Sequence, residues 1–366
     1  MELQSQASEN PKTTLISLED SRLQKVLLTN KLDDTTIALP KDVLPSGKVI
    51  FELTSKEQLQ KPNLFICWWI ATRAFSLTAT AIPMIATLCL GLYQGWTPSW
   101  ELLSLAFFGA VFFQLSINLF NDVEDHLKLI DLPGTFGGSG VIQKGWLSAL
   151  EVRKVAFLLL GLGTLIGLPA VLTYPTLLWV IGLFGVLGVL AYSGWPFYFK
   201  YRALGDGLVF LMCGPALTLG FGLAAFGIWD PFFLWFGSLF GLLAMGILHA
   251  NNLQDIPIDE KREAKTLASA LGFSKARYGL AFVYSLTVVL HLSFVAFGFL
   301  PKGSLLGLLA MPLLFKISKN SILASGPYSP KLNQIRITTA QAHLVYGALT
   351  SIGLILSSFL PRSLEF

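Results

Sequence analysis

The sequence predicts an all-α polytopic membrane protein with about nine transmembrane helices, and three observations predict it. Of 366 residues, 53% are hydrophobic and 13% charged, which is not the balance of a soluble domain. Apolar stretches close to the length a bilayer core takes recur from Asn63 onward. Lys and Arg gather in alternate loops.

The apolar stretches run over 64–93, 101–120, 152–173, 175–193, 204–227, 231–250, 277–300, 303–317 and 338–360. Pro175 and Pro301 mark tight joins between the third and fourth and between the seventh and eighth. The loops after the second, fourth, sixth and eighth helices hold the cations, among them Lys128, Lys144, Lys200, Arg202, Lys265 and Arg336, whereas the opposite loops hold only Lys302. The positive-inside rule then puts the N-terminus and the even-numbered loops in the cytoplasm and the short tail with Arg362 outside.

Residues 1–62 are different material, with eight Lys or Arg and nine Asp or Glu. They read as a soluble extension ahead of a membrane domain at 63–366. They lack the charged start, short apolar run and small-residue cleavage site of a secretory signal. The stretch "TIALPKDVLPSGKVIFEL" alternates as strands do, which leaves a small ordered element and a mobile tail both open. No function is assigned to this extension, and its removal is expected to leave activity intact. Cys67, Cys89 and Cys213 lie inside predicted helices, too scattered for a disulfide frame or a metal knuckle, and are expected to pack in the core.

Two helix ends carry the chemistry. The second apolar stretch runs into "NDVEDHLKLID", with Asn121, Asp122, Asp125 and Asp131, preceded one turn earlier by Asn118. The sixth runs into "NNLQDIPID", with Asn251, Asn252, Asp255 and Asp259. Spacings of three and four place each Asp pair on one face of a continuing helix. Acids at a single helix end are commonly a solvated loop. Two matched sets on one side, where membrane surfaces are usually anionic, argue for a joint site.

Clustered carboxylates with amide carbonyls suit a hard divalent cation, and Mg2+ typically combines one or two carboxylates with substrate phosphates. Thiolates and paired histidines, the ligands of zinc, are missing from these motifs. Four carboxylates and two Mg2+ cancel, so a diphosphate needs further cations. Lys200 and Arg202 in "GWPFYFKYRALGD", Lys265 after the second pair and Arg73 near the end of the first helix are the candidates. A diphosphate on a lipid tail would place its head here and its tail among the helices, which describes a polyprenyl diphosphate.

These residues carry a resemblance. The chain resembles the UbiA superfamily of intramembrane prenyltransferases, and within it the MenA-like branch of 1,4-dihydroxy-2-naphthoate polyprenyltransferases. Asn121 to Asp125 is similar to the family's Asn-Asp-x-x-Asp, with Asp131 at the branch's further spacing. "NNLQDIPIDEKREAKTLA" is similar to Asn-Asn-x-x-Asp-x-x-x-Asp followed by Lys-x-Thr-Leu, here Lys265, Thr266 and Leu267. "GGSGVIQKGWLS" and "LAYSGWPFYFKYRALGDGLVFLMCGP" look like the stretches after the second and fourth helices of that branch, so the likeness spans most of 64–360. Two features depart from it: "TRAFSL" keeps Arg73 without the Arg-Pro-x-Thr proline, and Gly140 stands where many relatives have arginine.

The resemblance implies a helical bundle around a central cavity. It also implies Mg2+ held by Asp122, Asp125, Asp255 and Asp259, and substrate contacts from Asn118, Asn121, Asp131, Arg73, Lys200, Arg202, Asn251, Asn252 and Lys265. The expected reaction transfers a polyprenyl group to a small aromatic acceptor, most simply 1,4-dihydroxy-2-naphthoate with loss of carbon dioxide, in menaquinone biosynthesis. The other acceptors of such enzymes are 4-hydroxybenzoate and homogentisate. The expected setting is a bacterial inner membrane with the acids on the cytoplasmic side and no nucleic-acid partner.

Tyr192, Trp195, Phe197 and Tyr198 offer faces to an allylic cation, although interfacial anchoring is the commoner use of such rings. His126 and His249 read as spacers within the motifs, His291 and His343 as helix-to-helix hydrogen-bond partners, and Asp206 as an acid at a helix start. A cation-coupled transporter is the rival reading. Its ionisable residues would lie near the membrane midplane, whereas these acids leave the helices at one surface.

Overall fold

The computed structural model describes residues 12–133, 137–194 and 196–360. Arg362 lies outside them.

The first unit resolves the alternatives left open for the extension into an ordered element. Strands β1 (Thr13–Ser17), β2 (Thr36–Val43) and β3 (Lys48–Ser55) form an antiparallel sheet in the order β1-β3-β2, with helix α1 (Arg22–Thr29) between β1 and β2. The alternating segment folds as the β2–β3 hairpin, closed where the Gly47 amide donates to Leu44 O at 3.0 Å and Gly47 takes φ +72°. A register shift between Pro40 and Asp42 leaves Lys41 as the extra residue of a bulge. One face of the sheet buries Val49 and Phe51 against Leu23, Val26 and Leu27 of α1.

The membrane part consists of helices α2 (Leu64–Ala71), α3 (Thr78–Tyr93), α4 (Trp100–Leu127), α5 (Ala149–Thr173), α6 (Pro175–Ser193), α7 (Gly205–Cys213), α8 (Pro215–Phe226) and α9 (Phe232–Lys261). After these come α10 (Leu267–Leu271), α11 (Phe273–Ala276), α12 (Gly279–Ala296), α13 (Met311–Ile322) and α14 (Ile335–Ser358). Eight helical segments among the described residues are long and apolar enough to cross a bilayer. Their outward residues, such as Leu158, Leu165, Val180 and Leu183, are exposed and apolar, as lipid-facing surface requires. The protein is an integral membrane protein.

Local sequence sets the ends. Asn63 caps α2 by accepting from Ile66 N at 2.9 Å, and Ser148 with Glu151 forms a capping box on α5. The stretch 204–227 breaks between α7 and α8, where Gly214 lies so close to α9 that an added Cβ would sit 2.6 Å from Gly241 Cα.

The largest departure from sequence expectation is the first predicted helix, which is not one continuous span. It breaks after Ala71: Arg73 adopts φ 50° and ψ 52°, a 3-10 turn covers Ala74–Leu77, and α3 resumes for 16 residues. At about 1.5 Å per residue, that helix falls short of a bilayer core of about 30 Å. This is why eight qualifying spans appear instead of nine.

Candidate active site

The site is built around the break. With the helix interrupted, the Thr72 carbonyl is free to accept from Asn118 Nδ2 at 2.9 Å, and the same amide nitrogen donates to Ser76 Oγ at 2.8 Å. Asn118 accepts in turn from Gln114 Nε2 at 3.1 Å, and Gln114 accepts from Thr80 Oγ1 at 2.8 Å. A non-glycine residue in the left-handed region needs such support. The result is that the Arg73 guanidinium reaches the carboxylate of Asp122.

The first acid motif lies within the last turns of α4 and is buried, with Asp122 2% and Asp125 1% exposed. Buried carboxylates require partners. Asp122 Oδ2 also accepts from the Ser139 backbone N–H at 3.1 Å. Asp125 Oδ2 takes Lys200 Nζ at 2.6 Å and Asn121 Nδ2 at 3.0 Å, while its Oδ1 takes the Tyr201 hydroxyl at 2.6 Å. Lys200 donates a second bond to Asn121 Oδ1 at 2.8 Å.

Asp131 is buried beside this group, and a Cβ at Gly137 or Gly138 would run into its carboxylate. Its Oδ2 has no hydrogen-bond partner among the described residues. Burial first, then the negative charge of Asp125, push its carboxyl up to about 7.

The second motif occupies the end of α9. Asp255 pairs with Arg336 at 2.7 Å, and Arg336 also donates to Gln254 Oε1 at 2.8 Å and Asn251 O at 3.3 Å. Asp259 accepts from Thr266 Oγ1 at 2.8 Å, and that hydroxyl also accepts from Ser269 N to cap α10. Asn252 Nδ2 donates to buried Asp206 at 3.4 Å. The two motifs share one electrostatic neighbourhood, because Asp131 feels Asp125, Asp255, Lys200 and Arg73, and Arg73 feels Arg336.

Several expected residues have other placements. Arg202 and Lys265 are exposed and form no ion pair with the site acids among the described residues. Their backbones instead stitch two loops together, with Ala203 N donating to Lys265 O at 2.5 Å beside a parallel Arg202–Lys265 bridge. Tyr198 already has a cation on it: Lys128 Nζ lies 3.7 Å from its ring centroid and 3.9 Å from that of Tyr201. Burial lowers the Lys128 amine to about 8. Phe197 is exposed and stacks on Phe199, Tyr192 is buried, and Trp195 lies outside the described residues.

Three of the four histidines are hydrogen-bonded to neighbours; His343, expected to bridge helices, has no hydrogen-bond partner for either ring nitrogen among the described residues and instead lies edge-on to the Phe240 ring. His126 Nε2 lies 3.0 Å from Leu27 O and His249 Nε2 2.8 Å from Ala276 O. The ring of His291 sits between Tyr346 Oη and Ser304 Oγ.

Arg336, Tyr201 and Ser139 are the partners that sequence reasoning missed. An arginine at the polar end of an apolar helix was the signal for Arg336. The other two depend on how loops fold back.

No three His, Cys, Asp or Glu side chains among the described residues converge tightly enough to hold a metal ion by themselves. The donor set is nonetheless made of oxygen alone. Fully ionised, five carboxylates (Asp122, Asp125, Asp131, Asp255 and Asp259) face three cations (Arg73, Lys200 and Arg336), a formal excess of two negative charges. Together with the orphaned Asp131 Oδ2, this fits a hard divalent ion that completes its shell with substrate phosphate.

Known proteins that resemble this chain point to one family. The chain is 26% identical over 328 residues to UbiA prenyltransferase domain-containing protein 1 of Dictyostelium discoideum, covering 87% of this chain and 96% of that protein. It is 26% identical to 1,4-dihydroxy-2-naphthoate octaprenyltransferase of Bacillus subtilis (82% and 96% covered) and 29% identical to the protein of that name from Haemophilus influenzae (79% and 96%). The structure of a UbiA homologue from Archaeoglobus fulgidus bound to DMAPP and Mg2+ superposes with a TM-score of 0.52 at 16% identity, over 78% of this chain and 99% of that one, and so shares the fold. The model of the UbiA prenyltransferase family matches residues 80–325, a segment that contains both acid motifs and more than half of the chain. With its helices, its paired acids and this match, the chain belongs to the UbiA prenyltransferase family.

Proposed function

We propose that this protein transfers a polyprenyl group from a polyprenyl diphosphate to 1,4-dihydroxy-2-naphthoate, with Mg2+, at the cytoplasmic face of a bacterial inner membrane. The observation that carries the reading is that two acid motifs, the first buried and the second partly so, share one electrostatic neighbourhood at one end of the bundle, held by cations from three separate segments: Arg73, Lys200 and Arg336. Asp122, Asp125, Asp255 and Asp259 are the residues to hold the metal, and bound Mg2+ would neutralise charge on the departing diphosphate. Arg73, Lys200 and Arg336, which pair with these acids here, would be the cations to meet the diphosphate's remaining charge. Burial of Asp122 and Asp125 keeps bulk water from the ionising centre.

The naphthoate acceptor is supported by the agreement of two separated motifs, Asp131 with its spacing and the element Lys265-Thr266-Leu267, and by the names of the bacterial relatives. The test uses the purified full chain with Mg2+, labelled polyprenyl diphosphate and a panel of aromatic acceptors. Prenylated naphthoate and carbon dioxide are expected in equal amounts. Prenylated 4-hydroxybenzoate that keeps its carboxylate, formed while the naphthoate stays untouched, would overturn the acceptor and leave prenyl transfer standing.

A further inference from the structure

The N-terminal sheet unit lies across both acid motifs. Asn30 ends α1 in the left-handed conformation at φ 55°, which Asn tolerates better than most residues. That turn aims its Nδ2 at two carbonyls of the loop after the first motif, Ile142 O at 3.2 Å and Leu147 O at 3.3 Å. The same loop carries Ser139, whose amide holds Asp122, and Gln143, whose Nε2 donates to Asp131 O at 3.2 Å. Leu127, Leu129 and Leu132 of the first motif and its exit pack into the sheet's own core with Ile16, Val26 and Phe51. His126, inside the motif, reaches Leu27 O. On the far side, Asp42 of β2 faces Lys261 at 3.3 Å and Arg262 at 3.8 Å, at the end of the helix that bears Asp255 and Asp259.

A loop with glycines at 137, 138 and 140 has high conformational freedom to lose. Its order comes from two sides: Val141, Ile142 and Leu147 pack against bundle residues such as Leu119, Val123 and Val152, and Asn30 of the N-terminal unit holds the Ile142 and Leu147 carbonyls from outside the bundle. We propose that residues 12–55 are a positioning element of the active site: through Asn30 and the Leu129–Leu132 contact they fix the 137–147 loop, so that the Ser139 amide, Asp122 and Asp131 stand ready for the diphosphate and its metal. Asp42 ties the second motif's helix to the same unit, so that removal of the extension, expected from sequence to leave activity intact, should on this proposal impair it. The inference rests on the reading of these acids as the diphosphate site.

The test is Asn30→Gly in the full chain, which keeps the left-handed backbone and removes only the side-chain bonds; Asn30→Asp is its companion. Amide hydrogen exchange is measured without substrate or metal, and KM for farnesyl diphosphate with Mg2+ and 1,4-dihydroxy-2-naphthoate is measured on the same preparations. Exchange should accelerate across 137–147 and not in the cores of α5 and α9. KM should rise about ten-fold, the equivalent of one to two hydrogen bonds lost from a supporting shell, with a smaller change in kcat. If neither variant accumulates, Asp42→Ala, on the exposed face, is expected to raise KM about two-fold, in keeping with a surface ion pair. Wild-type exchange and wild-type KM in the variants would overturn the proposal. Absence of prenyl transfer by the wild-type chain would instead overturn the underlying reading, and the exchange result would still show whether Asn30 orders the loop.

Discussion

The two acid motifs share their chemistry and differ in their surroundings. The first is buried, flanked by two cations, a tyrosine hydroxyl and a backbone amide, and packed under the N-terminal sheet. In the second, the Asp255 side chain is 16% exposed against 3% for Asp122, and its pairing comes from the last transmembrane helix. The first motif is the more enclosed of the two, and the second has more room to adjust. On the proposed reading, such a division suits a site that fixes a diphosphate on one side and admits and releases substrates on the other.

The bluntest attempt to break this comparison is to remove one acid from each side. Asp122→Ala and Asp255→Ala should each lower turnover by at least about a hundred-fold, as loss of one charge-stabilising group does, while leaving folded membrane protein. Near-normal turnover in either folded variant would show that the motifs are not one site.

Removing the cations should separate the two sides. Arg73→Ala strands Asp122 in a buried place and should cost about 3–5 kcal/mol of stability. Arg336→Ala, next to a partly exposed acid, should cost about 1–3 kcal/mol. Mg2+ should restore part of the loss at Arg73, because the metal can pair the freed carboxylate. Equal losses in denaturant unfolding of the two variants would erase the difference between the two sides.

How much of this could be read from sequence follows from which interactions are local. Eight of the nine spans, the Asp spacings on α4 and α9 and the family pattern each lie in contiguous stretches of sequence, and all are legible. The break at Arg73 is not, because "LFICWWIATRAFSLTATAIPM" carries a single charge, Arg73, among apolar and hydroxyl residues and the group that supports the break lies 46 residues away, in the Asn118 amide that donates to the Thr72 carbonyl. Lys200 was separable from Arg202 and Lys265 only by the turn that points one cation inward and leaves the other two exposed. The sheet's contact with Leu129 and Leu132 joins segments about a hundred residues apart, and no periodicity in either segment announces it.

Smaller changes sharpen the picture of the first motif. Tyr201→Phe removes one hydrogen bond to buried Asp125 and should reduce kcat/KM about ten-fold, the scale of a bond to a charged group. Lys128→Met withdraws the ammonium from between Tyr198 and Tyr201. At about 0.5–2 kcal/mol for a partly desolvated cation–π contact, the loop bearing Lys200 should loosen, with a fall in activity of several-fold at most. If Lys128→Met costs more activity than Tyr201→Phe, the ammonium has a direct role at the substrate and not the clamping role its geometry gives it.

The smallest effect tests the first motif alone, through pH. Asp131 has its carboxyl pushed up to about 7 by burial and by Asp125, so the unfolded chain gives up this proton near 4 while the folded chain keeps it until about 7. Between those limits the folded state binds the extra proton, and stability of the metal-free protein must fall as pH rises, then level off above 7. Mg2+ favours the ionised carboxylate, so the increase in Tm that it confers should grow from pH 6 to 8. Asp131→Asn carries no ionisable proton at this position and should remove the first motif's share of both trends, while the second motif keeps its own response to the metal. A Tm increment from Mg2+ whose pH dependence is the same in Asp131→Asn as in the wild type would move the titrating group out of the first motif.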